Sequence, residues 1–370
     1  MEKTNCDVTR IGGTEIVIAK DCFKIVPDKI SEVSKEGAIV LCYDKNLKDY
    51  AVKIGEHLRC LKRRIFLCEL SKSGETSDAL PDFIRYVIGV GCGFACQKAH
   101  ALAKGLGVPW SLFLTAPTTD TILQDKSPKH VFIDENVMIN CPSSCVAAGF
   151  GVLYSQGLTA FENVFRRDVL SLDVPCSQQV EIKGDMSNVS LALCLLELSS
   201  IKHGEDSADI AAKILYAKKL AQGEKPRLVG EYKFIVSSYL ALLYSSLLSS
   251  PAIDVLPPPK RQDALDALAD TCYKNASNPA KCIDFFEINS YFRISYILSE
   301  YRTDLIERLG SIDLHKAQRT WRRIYDDAGY FLKSALTVKD VRQAVELAGS
   351  ISDNLLGYLY ATGVLTSIAS

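Results

Sequence analysis

Glycines at alternate positions, Gly89, Gly91 and Gly93, follow a short apolar run in the first third of the chain. Glycine lets the backbone approach a ligand closely, and the N–H groups at the start of a helix favour anions. Such a turn could therefore hold a phosphate or pyrophosphate group. The spacing is GxGxG, which differs from the GxGxxG pattern typical of dinucleotide binding. A tight strand-to-helix turn that binds nothing is the alternative interpretation.

Two further polar stretches also follow apolar runs and could complete a ligand site. Asp44 comes directly after AIVLCY, and TAPTTD, residues 115–120, comes directly after WSLFL. Because the carboxyl ends of parallel strands meet at one edge of a sheet, these residues and the glycine turn are predicted to lie together, where a dinucleotide would bind. Asp44 could accept a hydrogen bond from a ribose hydroxyl, or serve only as a turn residue or helix N-cap. The threonines could equally form hydrogen bonds within the loop.

The elements that must position these residues alternate between strand and helix at close spacing. Apolar or β-branched runs predict strands at residues 14–19, 37–44, 64–70, 86–90, 108–114 and 131–134. Helical patterns between them cover residues 28–35, 47–61 and 95–104. Gly105 and Gly107 are predicted to stop the last of these helices. This alternation is typical of a Rossmann-like, doubly wound parallel sheet.

The character of the chain changes after Pro142. Helical patterns then follow one another, and only residues 179–182 could form a strand. The predicted helices cover residues 143–164, 189–198, 206–220, 232–248, 261–275, 288–308, 314–335 and 338–365. The sequence therefore predicts an α/β domain of the nucleotide-binding type at residues 1–141 and an all-helical domain at residues 142–370.

Composition and charge argue against several classes of protein. The 370 residues carry a net charge of −1 and no long basic run, so nucleic acid is not an expected partner. The 13 cysteines are scattered, odd in number and without a CxxC pair, which indicates reduced thiols and a cytoplasmic location. The first residues, MEKTNCDVTR, lack the apolar core of a signal peptide. Residues 234–253 are uncharged but rich in serine, which favours a buried core helix over a membrane span.

Four stretches of the chain resemble known motifs. GVGCGFACQKAH, residues 89–100, resembles GGGSxxDxAK, and VPWSLFLTAPTTD, residues 108–120, resembles VPFISVPTAPSxD. VFIDENVMINCPSSCVAAGFG resembles IADxxIxxxxPxxLxAAGxGD, and LTVKDVRQAVELAGSISDNLLGYLYATGVL resembles IRDRYTILDLLxELG. The chain is thus similar to the sn-glycerol-1-phosphate dehydrogenase branch of the superfamily that also holds iron-containing alcohol dehydrogenases, glycerol dehydrogenase and dehydroquinate synthase.

This resemblance implies a dehydroquinate synthase-like fold, with NAD or NADP bound by the first domain. It also implies hydride transfer between glycerol 1-phosphate and dihydroxyacetone phosphate. The catalytic position, in contact with substrate hydroxyls or the nicotinamide, would be Asp120. The cofactor-binding residues that the resemblance implies are Asp44, Gly91, Gly93, Thr115, Thr118 and Thr119.

The resemblance further implies a zinc or iron ion in the helical domain, held by one aspartate and two histidines. The sequence departs from all three positions. The aspartate of AAGxGD is Val152, the histidine of HGE is Val229, and the stretch that corresponds to GSEH, at residues 207–210, has no histidine. Because valine cannot bind a metal, no metal ligand is predicted. The only substitutes that the sequence offers are His203, Asp209, Cys141 and Cys145.

The cofactor turn departs from the motif as well. The middle glycine is Cys92, the aspartate is Gln97 and the lysine is His100. The serine is Phe94, whose ring would either crowd a pyrophosphate or point into the core.

Three hypotheses follow from these observations. The first is an active NAD(P)-dependent dehydrogenase of the glycerol-1-phosphate type. The second, which we prefer, is a divergent homologue or pseudoenzyme that has lost metal-dependent catalysis but keeps binding to a nucleotide or small phosphorylated polyol. The third is a structural or interaction protein, with which a homo-oligomer is compatible.

Overall fold

The computed structural model describes residues 6–70, 83–118, 127–169, 186–200, 206–249, 300–310, 312–324, 336–349 and 355–361. Two compact units divide the chain. The first, called here the α/β unit, comprises Met1–Gly149 and Met186–Lys202. The second, called the helical unit, comprises Phe150–Asp185 and His203–Ser370. The domain boundary after residue 141 stays a prediction.

The α/β unit is built on a seven-stranded sheet with the order β1-β2-β7-β6-β5-β3-β4. The strands are β1 (Asp7–Ile11), β2 (Thr14–Ala19), β3 (Ala38–Tyr43), β4 (Ile65–Glu69), β5 (Ile84–Val90), β6 (Trp110–Leu114) and β7 (His130–Asp134). Every pairing is parallel except the β1–β2 hairpin. The predicted doubly wound parallel sheet is confirmed.

The apolar runs of the sequence become strands that are buried on both faces, as expected for a parallel sheet. In β3, Ile39 and Leu41 pack on one face and Val40 and Cys42 on the other. Strand β1 was not predicted, because it is an exposed edge strand in which only Ile11 is partly buried, so it shows no apolar pattern.

Helices cover both faces of this sheet. Helices α1 (Val26–Val33) and α2 (Lys48–Leu58) pack on one face, and α3 (Phe94–Leu106) packs on the other. The short helix α4 (Glu135–Ile139) follows β7, and α6 (Asn188–Ser199) adds Ala192 and Leu196 to the core on the α3 side.

Helix α3 ends two residues later than predicted, at the second of the two glycines that were predicted to stop it. Helix α3 continues through Gly105 to Leu106, whereas Gly105 was predicted to stop it. It ends at Gly107, whose φ of +67° is the left-handed conformation that favours glycine after a helix.

The helical unit contains α5 (Ser143–Val164, which begins in the α/β unit), α7 (Ser207–Ala221), α8 (Val229–Ser249), α9 (Arg302–Gly310), α10 (Leu314–Ile324), α11 (Val338–Gly349) and α12 (Leu355–Ala361). Its core is formed mainly by α7, α8 and α11. The predicted helix at residues 338–365 corresponds to α11 and α12. The predicted helix at 261–275 and strand at 179–182 lie outside the described residues, and the helices predicted at 288–308 and 314–335 are described only over α9 and α10.

The serine-rich apolar stretch lies in α8, which is packed in the core of the helical unit. Within the described part of the chain, no helix combines the length and the apolar character that a membrane crossing requires.

A buried line of polar side chains crosses three neighbouring strands of the sheet. The hydroxyl groups of Tyr86 on β5 and Ser111 on β6 are 2.7 Å apart, and Ser111 Oγ lies 3.2 Å from Nδ1 of His130 on β7. Burial lowers the pKa of His130 below its ordinary value of 6.5, against the opposite influence of the Glu15 carboxylate. His130 is therefore held neutral in the folded protein.

Acidification should for this reason destabilise the α/β unit through His130. Below pH 6.5 the unfolded chain takes up a proton at His130 that the folded chain does not. We expect wild type to lose stability relative to His130→Asn as the pH falls through 6.5, at no more than about 1.4 kcal/mol per pH unit. Above pH 6.5 the difference in unfolding free energy between the two proteins should be constant. Urea unfolding of both proteins between about pH 5 and 8 measures this difference. The same pH dependence in both would contradict the prediction.

Candidate functional site

The strand order places the predicted site residues at one edge of the sheet. From β3 the chain runs outward to β4, then returns to the other side of β3 as β5 and continues to β6 and β7. The strand order therefore reverses between β3 and β5, and ligands of doubly wound sheets bind at this point, beyond the carboxyl ends of the strands. Asp44 follows β3, and the glycine turn, defined as Gly91–Gly93, follows β5.

The other predicted residues extend this edge. Thr115 and Thr118 follow β6, which is the neighbour of β5. Thr119 and Asp120 lie outside the described residues. The structure thus brings together Asp44, Gly91, Gly93, Thr115 and Thr118, and their roles in cofactor binding stay predictions.

Both glycines are required by the geometry of the turn. Gly91 has a φ of +138°, and a Cβ atom there would lie 2.9 Å from Ala95 Cβ and 2.9 Å from Leu47 Cδ1. Gly93 has a φ of +48°, but a Cβ atom there would have no neighbour within 4 Å. As the N-cap residue of α3, Gly93 has no side chain with which to cap the helix. The space beside Gly93 is therefore open and the start of α3 has no side-chain cap, two features that a phosphate-binding turn requires.

The thiol of Cys92 connects the turn to the two threonines. The side chains of Thr118 and Thr115 act on it to lower its pKa, and the charge of the Asp44 carboxylate acts to raise it. Burial raises the pKa of Cys92, so the thiol is protonated and the threonine hydroxyls surround a neutral group. The sequence showed that a cysteine replaces the glycine of the motif, but gave no sign of these contacts.

Asp44 has the capping role that the sequence left open. Its carboxylate accepts a hydrogen bond from the N–H group of Asn46 at 3.2 Å and caps the short helical turn Lys45–Leu47. The side chain is half-buried, and its charge acts on the thiol of Cys92. A ribose hydroxyl as a second partner stays a prediction.

The other residues that depart from the motif have neighbours outside the turn or are exposed. The half-buried ring of Phe94 lies 5.6 Å from the Lys98 ammonium group, one helical turn further along α3. Gln97 is exposed. The His100 ring stacks on Trp110 with 5.4 Å between the ring centroids, and Trp110 begins β6 at the opposite edge of the sheet. None of the three observations places a side chain in the open space at Gly93.

Among the described residues of the helical unit, the expected ligand positions offer no donor for the zinc or iron ion that the resemblance implies. Helices α5 and α8 approach so closely that a Cβ atom on Gly151 would lie 1.9 Å from the carbonyl oxygen of Gly230. Val152 and Val229 adjoin these glycines, so two expected ligand positions do meet at one helix crossing. Val152 is buried and Val229 packs against the helical core, and neither has a donor atom.

Two of the four substitute ligands, Asp209 and Cys141, are described with their surroundings. Both carboxylate oxygens of Asp209 are paired, with Lys213 at 2.7 Å and Lys233 at 2.8 Å. Burial raises the pKa of the Cys141 thiol to about 11, so this group is protonated in the folded protein. His203 lies outside the described residues. In the part of the chain that the structure describes, no three His, Cys, Asp or Glu side chains are grouped to hold a metal ion. The residues present therefore do not fit the ion.

Comparison with solved structures bears on the fold. The chain matches 1,3-propanediol oxidoreductase with a TM-score of 0.52 and 11% identity, over 100% of this chain and 98% of that one. Glycerol dehydrogenase from Schizosaccharomyces pombe matches with a TM-score of 0.45 and 12% identity, over 99% and 90% of the two chains. A 2-deoxy-scyllo-inosose synthase, complexed with carbaglucose-6-phosphate, NAD+ and Co2+, matches with a TM-score of 0.44 and 15% identity, over 74% and 83%.

Neither the family models nor the curated proteins gave a match to the sequence. At these identities the structural likeness concerns the fold alone. The predicted fold class is confirmed: the chain has a dehydroquinate synthase-like fold, an α/β domain followed by a helical domain, shared with 1,3-propanediol oxidoreductase.

Proposed function

We propose that the α/β unit binds a phosphorylated ligand at the glycine turn and that the protein does not carry out metal-dependent hydride transfer. The ligand class is a nucleotide such as NAD or NADP, or a small phosphorylated polyol. The observation that carries the proposal is the open space at Gly93. There the uncapped start of α3 coincides with the reversal of the strand order.

A nucleotide accounts for more of this edge than a simple phosphate does. A phosphate at the glycine turn would satisfy the start of α3, and a ribose lying toward β3 would meet the Asp44 carboxylate. Thr115 and Thr118 on the other side could bond to the ligand if it displaced the thiol of Cys92. A phosphorylated polyol would use only the glycine turn and the threonines.

The proposal excludes metal-dependent dehydrogenation because of the residues at the ligand positions. Hydride transfer from an alcohol in this superfamily depends on an ion that stabilises the alkoxide, which contributes several kcal/mol to the transition state. Val152 and Val229 provide no donor atom, and Asp209 is paired with two ammonium groups. NADH oxidation with dihydroxyacetone phosphate at a rate well above background would overturn this part of the proposal. We also propose that the protein is cytoplasmic and forms a homo-oligomer.

Replacing Gly93 by alanine tests ligand binding at the turn. We expect Gly93→Ala to weaken binding of NADH or NADPH at least about 10-fold, because the alanine distorts the turn and fills the open space. Gly12→Ala is a matched control, since Gly12 also has a positive φ, +59°, and open space but lies in the β1–β2 hairpin. Calorimetric titration of wild type and both variants measures affinity. Equal loss of affinity in both variants would show that strain, not the site, caused it.

A further inference from the structure

The helical unit contains carboxylates that are buried between three helices. Glu162 lies on α5, Asp206 caps the start of α7, and Asp209 lies in the first turn of α7. Glu162 is 2% exposed and Asp206 is 7% exposed. We call these three residues the acidic cluster. Its burial requires compensation, because a carboxylate removed from water is costly unless it is paired or hydrogen-bonded.

Neutral donors bond to two of the three carboxylates. Glu162 accepts hydrogen bonds from the Tyr244 hydroxyl at 2.6 Å and from the Ser207 N–H group at 3.2 Å. Asp206 accepts from the Thr159 hydroxyl at 2.5 Å and from the Asp209 N–H group at 2.5 Å. These bonds orient the carboxylates, but neutral donors do not cancel their charge.

The positive charge comes from two lysines, of which one is deeply buried. The Lys233 ammonium group on α8 is 2.8 Å from Asp209 Oδ1, and the side chain is 7% exposed. Its charge also acts on Asp206. Lys213, on the same helix as Asp209, contacts Oδ2 at 2.7 Å but is 34% exposed, so water screens it. Lys233 is thus the buried cation that links α8 to the acidic cluster.

We infer that the Lys233 ammonium group is a buried cation that replaces a metal ion between α7 and α8. Lys233 lies four residues after Val229, on the same face of α8, and Asp209 lies in the 207–210 stretch of α7. The helix starts that the resemblance assigns to metal binding are therefore joined by an ion pair. This inference does not depend on ligand binding by the α/β unit.

Lys233→Met should raise the unfolding equilibrium constant of the helical unit about 100-fold, because it leaves the largely buried Asp209 carboxylate with Lys213 alone, whose charge water screens. Lys219→Met is the matched control: Lys219 is also 7% exposed, but its partner Glu224 is 43% exposed at 3.2 Å, so the increase should stay below about 5-fold. The chain has two tryptophans, and Trp321 is the one in the helical unit. Urea unfolding followed by fluorescence in the Trp110→Phe background therefore reports on this unit. Equal effects of the two lysine substitutions would overturn the inference.

Two further measurements separate charge from packing. In Asp209→Asn with Lys233→Met, the carboxylate and the cation are both gone, and stability should return to within about 10-fold of wild type. The double variant should recover this stability even if Lys233→Met alone does not fold. A double variant that also fails to fold would overturn the inference. Added Mn2+ or Zn2+ should leave the melting temperature of wild type unchanged. An increase for wild type that Asp209→Asn abolishes would show that the cluster still takes a metal ion.

Discussion

Replacing Gly151 by alanine should cost the helical unit more than about 4 kcal/mol of unfolding free energy, or prevent it from folding. The added Cβ would lie 1.9 Å from the carbonyl oxygen of Gly230 and 2.9 Å from its carbonyl carbon. These are backbone atoms of α8, so the contact can be relieved only by moving one helix away from the other. That movement would also open the crossing at which Val152 and Val229 lie.

Gly157→Ala is the control for this substitution, because Gly157 lies on the same helix α5. Its nearest neighbour would be Ile312 Cγ1 at 3.6 Å, an ordinary contact. Alanine is the better helix former, so we expect this variant to be more stable than wild type by about 0.5–1 kcal/mol. Urea unfolding of both variants gives the comparison. A Gly151→Ala protein within about 1 kcal/mol of wild type would show that α5 and α8 do not touch there.

The second large effect should appear in the pH dependence of the helical unit. Burial raises the pKa of Glu162 to about 7, with a further increase from Asp206, against hydrogen bonds from Tyr244 and Ser207 that lower it. The unfolded value is 4.5, so between pH 4.5 and about 7 the folded protein binds more protons than the unfolded chain. The contribution of Glu162 to the unfolding free energy should therefore fall as the pH rises through this window, by about 3 kcal/mol in total, and stay constant above it.

Glu162→Gln removes the titrating group and keeps its size. We expect the difference in unfolding free energy between wild type and Glu162→Gln to change across the window and to be constant above about pH 7.5. His130 in the α/β unit makes stability rise with pH, so the informative quantity is the difference in unfolding free energy between wild type and Glu162→Gln. The fluorescence of Trp321 in the Trp110→Phe background measures it. Parallel curves for the two proteins would mean that Glu162 is ionised throughout.

The sequence predicted the sheet well because parallel strands that are buried on both faces are continuous apolar runs. The position of the site residues at one edge of the sheet follows from the alternation of strands and helices, whereas the strand order itself was not predicted. Strand β1 was missed because an exposed edge strand needs no apolar pattern. The end of α3 was placed two residues early because Gly105 can be tolerated within a helix that ends at Gly107.

For the candidate site, the sequence predicted which residues lie at the strand ends but not the contacts of their side chains. Adjacent strand ends must bring Asp44, the glycine turn and Thr115 together, and they do. The interactions of the Cys92 thiol with the threonines depend on side-chain geometry, which spacing along the chain does not reveal. The pairing of Lys233 with Asp209 was also missed, because it joins two helices at positions 24 residues apart whose charges look like ordinary surface residues.

The most direct test of the central claim is to add dihydroxyacetone phosphate to the protein saturated with NADH, with and without added Zn2+. Nicotinamide fluorescence reports binding, and absorbance at the nicotinamide band reports oxidation in the same sample. We predict a saturable change in fluorescence when NADH binds and no loss of absorbance under either condition. Absorbance that decays faster than in the protein-free control, above all in a manner that depends on Zn2+, would contradict the claim that the fold is retained here for binding without metal-dependent hydride transfer.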